Sequence, residues 1–497
     1  MCKSKMARLP HDRIASLVRS SSSLAIGALL PISALLLVAF PLANGNASET
    51  MLGELYNRSA QYHGPERNPV ILIPGILGST LKDQDSDEIV WGGFTRRYAN
   101  PSTAAGARLF ALPTQMGTPL SRLRDRVVAT GALSQLHVSI LGVPVEMHAY
   151  REILLSLGIV GGYADETLGR NGEINYGTNH FTCFQFPYDW RRDLTENAAL
   201  LHQFILEKRK FVQAELAKRY GAKNVDVHFD LIAHSMGGLV ARYYLEYGAD
   251  PLPDDGSLPP MTWAGARYVN RAIFISPPNA GAMKAIVQLV GGVRFAFFLP
   301  KYQPAVLGTL PAVYEMLPHP GHRAVVDAKT GAPVDLFDPK MWEKFQWGLA
   351  DPRSDSELRK LLPNVSDPAE RRAIALDHLG KCLRRAKQFC RAMDAPARPP
   401  DGTSMYLMAG DAIQTPDVAA VNPDGSLRIT QTAFGDGTVL RSSALLDERT
   451  SGHWSPDLRS PIAWEQVSFF FKEHLALTQD VAFTDNLLFI LLEKPRR

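Results

Sequence analysis

Residues 225–247 constrain this chain more than any other stretch. Val225–Ile232 is an apolar run of strand length, and Gly238–Tyr247 has a helical pattern. Only Ala233, His234, Ser235, Met236 and Gly237 separate them. A strand that turns into a helix so abruptly needs small residues two before and two after the turning residue, and Ala233 and Gly237 meet that need. The bend holds the Ser235 hydroxyl above the strand end, and the next helix aims its positive N-terminus at it. A bare small-x-Ser-x-Gly string occurs by chance. Its coincidence with a strand and a helix makes Ser235 a candidate nucleophile. His234 is its neighbour, but adjacent residues on such a bend point apart, so His234 is expected to pack or line the cleft.

Further apolar runs occur at Val70–Ile73, His180–Phe186, Val269–Ser276, Met405–Ala409 and Val467–Phe471. Helical patterns at Leu200–Tyr220 and Asp480–Leu492 alternate with them, which predicts a mostly parallel sheet flanked by helices. No strand pattern stands between Ser276 and Met405. A structureless loop of that length is not expected in a compact fold, so residues 277–403 read as a cap insertion. A second insertion reads over residues 81–147. The fold class expected is α/β, an α/β-hydrolase fold with a large cap, in a catalytic domain of residues 48–497.

That fold dictates where the partners of Ser235 lie. Acyl transfer creates an oxyanion that backbone N–H groups must hold. One donor is expected from Met236, the residue after the nucleophile, and the other from Ile76, in the Pro74–Gly78 turn after the first strand. The chain order serine, acid, histidine excludes every histidine before Ser235. His474 follows the last strand and precedes the closing helix, which makes it the first choice for the base; His453 is the alternative. Asp436 and Asp411 both follow the penultimate strand. Asp436, set between Gly435 and Gly437, is preferred as the acid that holds the imidazole in its tautomer.

Taken together, Val70–Ser79, Pro187-Tyr188-Asp189-Trp190-Arg191, the Ser235 elbow and Gly435–Val439 resemble the lecithin:cholesterol acyltransferase family, which includes lysosomal phospholipase A2 and the phospholipid:diacylglycerol acyltransferases. The resemblance runs in order from about Asn68 to Leu492. It implies that Ser235, Asp436 and His474 are the triad and Ile76 and Met236 the oxyanion donors. It further implies a glycerolipid ester as substrate, an acyl-serine intermediate, peripheral contact with a membrane surface, a lipid-touching first insertion and a lid. The chain departs from animal relatives in having no cysteine between Cys2 and Cys183 to form a disulfide there. Tyr188–Arg191 is the most distinctive piece, and local reasoning does not explain it. A secreted carboxylesterase acting on soluble esters is one alternative. A catalytically silent hydrolase fold used for binding is another, against which the full Ser–Asp–His set argues.

The remaining composition bounds location and ligands. Lys3, Lys5, Arg8, Arg13 and Arg19 precede the uncharged run Leu24–Phe40, and Ala43, Gly45 and Ala47 follow. This is the order of a secretory signal peptide, here residues 1–47, with an uncleaved anchor as the alternative. The protein is therefore expected to be secreted, periplasmic or otherwise envelope-facing. A formal charge of +3 gives no electrostatic reason to expect nucleic acid. Cys382 and Cys390 lie on one helical pattern; eight residues make about 12 Å of rise, beyond the reach of a disulfide. No Cys-x-x-Cys or His pair accompanies them, so neither a metal nor another cofactor is expected. Val287–Pro300 reads equally as lid or as cap core. The basic residues of 371–391 read as a headgroup-facing surface or as a solvated face.

Overall fold

The apolar runs become strands where both of their faces are covered. The structure, a computed structural model, describes residues 45–62, 64–94, 98–132, 135–140, 143–148, 150–163, 182–295, 299–450 and 455–494. Residues 1–44 of the expected leader and His453 lie outside the described residues, as do Phe297 and Phe298.

Strand β1 (Val70–Ile73) is followed by β2 (Ser79–Asp83), β3 (Ile89–Trp91), β4 (Gly93–Phe94), β5 (Val127–Ala132), β6 (Gln135–Ile140) and β7 (Val143–His148). Then come β8 (Cys183–Gln185), β9 (Phe229–His234), β10 (Val269–Ile275), β11 (Val325–Asp327) and β12 (Ser404–Gly410). The last are β13 (Ile413–Val421), β14 (Leu427–Gly435) and β15 (Gln466–Phe470). Six of these form one sheet in the order β15-β12-β10-β9-β1-β8, and every pairing within it is parallel. Parallel sheets are covered on both faces, which is why β1, β8 and β9 are buried at every residue. The chain is thus an α/β protein of the α/β-hydrolase type.

The Leu194–Tyr220 helix covers part of this sheet. Asp193 accepts from the Thr195 N–H at its start, and Gly221, at φ 62°, ends it. The helix after the elbow, Met236–Tyr247, is buried along its whole length. It can be, because the long Pro368–Met393 helix lies close: the Tyr247 hydroxyl donates to the Ala392 carbonyl at 2.9 Å, and Arg242 reaches the Met393 carbonyl. Residues between β10 and β12 are mainly helical and also hold β11, which pairs with β13.

Two local details differ from expectation. The strand before the elbow starts at Phe229 rather than Val225 and extends through His234. Asp226 and His228 alternate with Val225 and Val227 and stay outside the sheet, where the Asp226 carboxylate accepts from Arg209 at 2.6 Å. The antiparallel hairpin β13–β14 was not expected. As expected, the helix holding Cys382 and Cys390 is continuous, and these two buried cysteines are not joined in a disulfide; Cys183 is buried too.

Candidate active site

Ile76, Ser235, Met236 and His474 follow the carboxyl ends of strands of the six-stranded parallel sheet, where such sheets bind their ligands, and Asp436 follows the β13–β14 hairpin and lies against Gly410 at the end of β12. Ser235 directly follows β9. Its φ of 54° and ψ of −127° put a non-glycine residue in a strained conformation that persists only when its surroundings enforce it. They do so here. The Ser235 N–H donates to the Ile275 carbonyl of β10 at 2.8 Å. A Cβ on Gly237 would come within 2.6 Å of the Ile73 carbonyl oxygen, so this position must be glycine for β1 to pass.

The turn after β1 lies against the serine. A Cβ on Gly75 would stand 2.8 Å from the Ser235 Cβ and 3.2 Å from the His234 carbonyl oxygen. The Gly75 N–H already donates to the Tyr150 hydroxyl at 2.7 Å, so the first amide this turn has to offer a ligand belongs to Ile76. The Met236 N–H is a first-turn helix amide and has no intrahelical acceptor. The two predicted donors therefore flank the serine on adjacent elements.

The structure pairs His474 with Asp436. Nδ1–H of His474 donates to Asp436 Oδ2 at 2.7 Å, and in the neutral imidazole this tautomer makes Nε2 the proton acceptor. Asp436 Oδ1 accepts from the N–H groups of Thr438 at 2.9 Å and Val439 at 2.7 Å. Burial pushes the Asp436 carboxyl up, but His474 and these two amides outweigh it and hold the group below the usual carboxylate range. Asp411 instead faces Arg441, at 3.8 Å. The His474 ring sits 4.8 Å, centroid to centroid, from that of His234, the residue before the serine.

Tyr188–Arg191, opaque in the sequence, braces the turn after β1. The Tyr188 hydroxyl donates to the Pro74 carbonyl at 2.7 Å, its N–H to Ser79 Oγ at 3.1 Å, and the Trp190 indole to the Ser79 carbonyl at 3.2 Å. Arg191 is fully buried. It makes two bonds to Asp189, one to Asp125 at 2.7 Å and two to the Leu109 and Phe110 carbonyls. The Asp189–Arg191 pair is thus structural. Arg371 and Arg385 are likewise buried and ion-paired, with Asp355 and Asp193, rather than solvent-facing. Phe295 packs on Trp91 at 5.0 Å. Tyr150, which sequence reasoning did not single out, contacts both the turn and His234.

A cavity of about 420 Å³, lined by Met283, Pro416, Val418, Leu440 and Arg441 among others, lies beside the Asp436 loop. Neither Ser235, Ile76 nor His474 lines it, so it is not the cleft of the serine. Among the described residues no group of His, Cys, Asp and Glu is arranged to hold a metal ion.

A strained serine between a parallel strand and a buried helix, with an Asp-paired histidine nearby, belongs to the α/β-hydrolase class. One chain of a solved structure described as the Tle4–Tli4 complex shares the fold, with a TM-score of 0.52 at 15% identity over 86% of this chain and 98% of that one. Residues 166–347 match the family model for lecithin:cholesterol acyltransferase. The match includes Tyr188–Arg191 and Ser235 and ends before Asp436 and His474. Curated relatives include a lysosomal phospholipase A and acyltransferase of Bos taurus, 24% identical over 234 residues (46% of this chain, 51% of the relative). Another is a lecithin-cholesterol acyltransferase-like 4 of Arabidopsis thaliana, 24% identical over 287 residues (53% and 45%). The chain spans about half the length of these curated relatives.

Proposed function

We propose that the protein is a serine acyl-ester hydrolase or O-acyltransferase that acts on glycerolipids. The observation that carries this reading is the His474–Asp436 pair, with the His474 ring 4.8 Å from that of His234, the residue that precedes a strained Ser235. In this reading His474 Nε2 takes the Ser235 proton as Oγ attacks the ester carbonyl. The Ile76 and Met236 amides hold the oxyanion, and Asp436 stabilises the imidazolium. The tetrahedral intermediate collapses, His474 gives its proton to the departing alcohol, and acyl-Ser235 remains. Water or a second alcohol then repeats the sequence and releases the acyl group.

The lipid substrate is supported by the family match and by the rim of the site. Phe471 and Leu475 flank His474 in the chain and are 81% and 50% exposed, and Phe434, two residues before Asp436, is 61% exposed. Large apolar side chains left in water around a reactive group suit an interface rich in acyl chains. Among the described residues no helix is long and apolar enough to cross a membrane, so contact through this rim would be peripheral. The expected leader fits a secreted or envelope-facing enzyme.

Mass spectrometry of phospholipid vesicles incubated with the protein tests the reading. A lysophospholipid with free fatty acid means hydrolysis, and a new ester means transfer. Turnover of short soluble esters with intact vesicles would favour the carboxylesterase alternative.

A further inference from the structure

Three segments far apart in the chain meet at two buried side chains. The Tyr150 hydroxyl accepts the Gly75 N–H at 2.7 Å, so its own proton is directed at His234 Nδ1, 3.0 Å away. With Nδ1 accepting, the remaining ring proton of His234 lies on Nε2, which donates to the His474 carbonyl at 3.2 Å. His474 is held from its other side as well, because its N–H donates to the Asp436 carbonyl at 3.0 Å. Tyr150 and His234 are buried, and their rings meet edge to face at 5.6 Å.

We infer that Tyr150 and His234 form a positioning relay that sets the distance between the oxyanion turn and the base by tying Gly75, the serine elbow and the His474 backbone into one directed hydrogen-bond chain. The inference rests on the proposed roles of Ser235 and His474. Each bond in the chain has one permitted direction. The Gly75 amide can only donate and the His474 carbonyl can only accept, so the tyrosine hydroxyl and the imidazole between them have one consistent proton arrangement. The relay requires a neutral imidazole. Burial, with His474 beside it, supports that state by pushing the His234 ring down to about 3. The relay neither touches substrate nor moves a proton. It holds the turn that carries Ile76 and the loop that carries His474 at a fixed separation, and a displacement of about 1 Å at such a site costs up to roughly a hundredfold in rate.

The test compares full-length wild type, Tyr150→Phe, His234→Gln, His234→Phe and Ser235→Ala on a soluble p-nitrophenyl ester. Tyr150→Phe keeps the ring against His234 and removes both hydroxyl bonds. Its kcat is expected to fall about tenfold to a hundredfold with KM within about twofold of wild type. His234→Gln retains an N–H that can reach the His474 carbonyl and is expected to keep several times the kcat of His234→Phe, which keeps a ring and loses the N–H. A Tyr150→Phe enzyme with wild-type kcat, or His234→Gln no better than His234→Phe, overturns the relay. Wild type no faster than Ser235→Ala instead overturns the underlying reading of the site, and the relay falls with it.

Discussion

Asp436 holds His474 twice: its carboxylate accepts the ring Nδ1–H at 2.7 Å, and its backbone carbonyl accepts the His474 N–H at 3.0 Å. The backbone bond is indifferent to the side chain at 436, so Asp436→Asn leaves the loop in place while changing what the ring meets. An amide that presents its N–H to Nδ1 favours the wrong tautomer. We expect kcat to fall by about 10³–10⁴ with the thermal midpoint nearly unchanged. Equal losses in Asp411→Asn would assign the acid to the wrong residue.

The brace around the turn after β1 is expected to act on stability first. Arg191→Met removes the cation from two carboxylates and leaves Asp189 buried without its partner. Breaking a buried pair from one side costs about 3–5 kcal/mol. Urea denaturation should record a loss of that order. A loss under 1 kcal/mol would mean that water or another donor replaces the guanidinium.

The exposed rim predicts a substrate-dependent defect. Phe471→Ser combined with Leu475→Ser removes apolar surface next to the site without touching the His474–Asp436 pair. Turnover of phospholipid vesicles should fall about tenfold or more, as lost burial of two large side chains implies, while turnover of a soluble ester stays within about twofold. Parallel losses on both substrates would refute a docking role.

Acid should destabilise the fold through buried imidazoles. Burial lowers His234 to about 3 and His378 to about 4, from an ordinary value of 6.5. The unfolded chain therefore binds a proton at each site that the folded chain refuses. Their stabilising contribution is whole above pH 6.5 and is lost as pH falls from there toward the folded values. Each adds about 1.4 kcal/mol per pH unit to the slope inside that window. His378→Gln should make denaturation between pH 6 and 5 shallower by about one such increment, and an unchanged slope would mean that His378 titrates normally.

The parallel sheet and the elbow were legible because buried strands are continuous apolar runs, and because a serine on so tight a bend demands small neighbours at fixed offsets. The hairpin β13–β14 was not legible. Its residues are largely half-buried or exposed, Pro416 interrupts the first strand, and no alternation of apolar and polar residues survives. Tyr188–Arg191 stood out as a string, yet its meaning lies in contacts with Pro74 and Ser79, more than a hundred residues away. Tyr150 left no local signal at all. One hydroxyl that meets an amide 75 residues before it and a ring 84 residues after it is invisible to any window along the chain.

The central claim is that Ser235 is the nucleophile. Intact-protein and peptide mass spectrometry after reaction with a fluorophosphonate probe tests it most directly. The account predicts a single adduct on the peptide that contains Ser235, absent in Ser235→Ala and strongly slowed in His474→Ala. An adduct on another residue, or labelling that persists undiminished in Ser235→Ala, would contradict it.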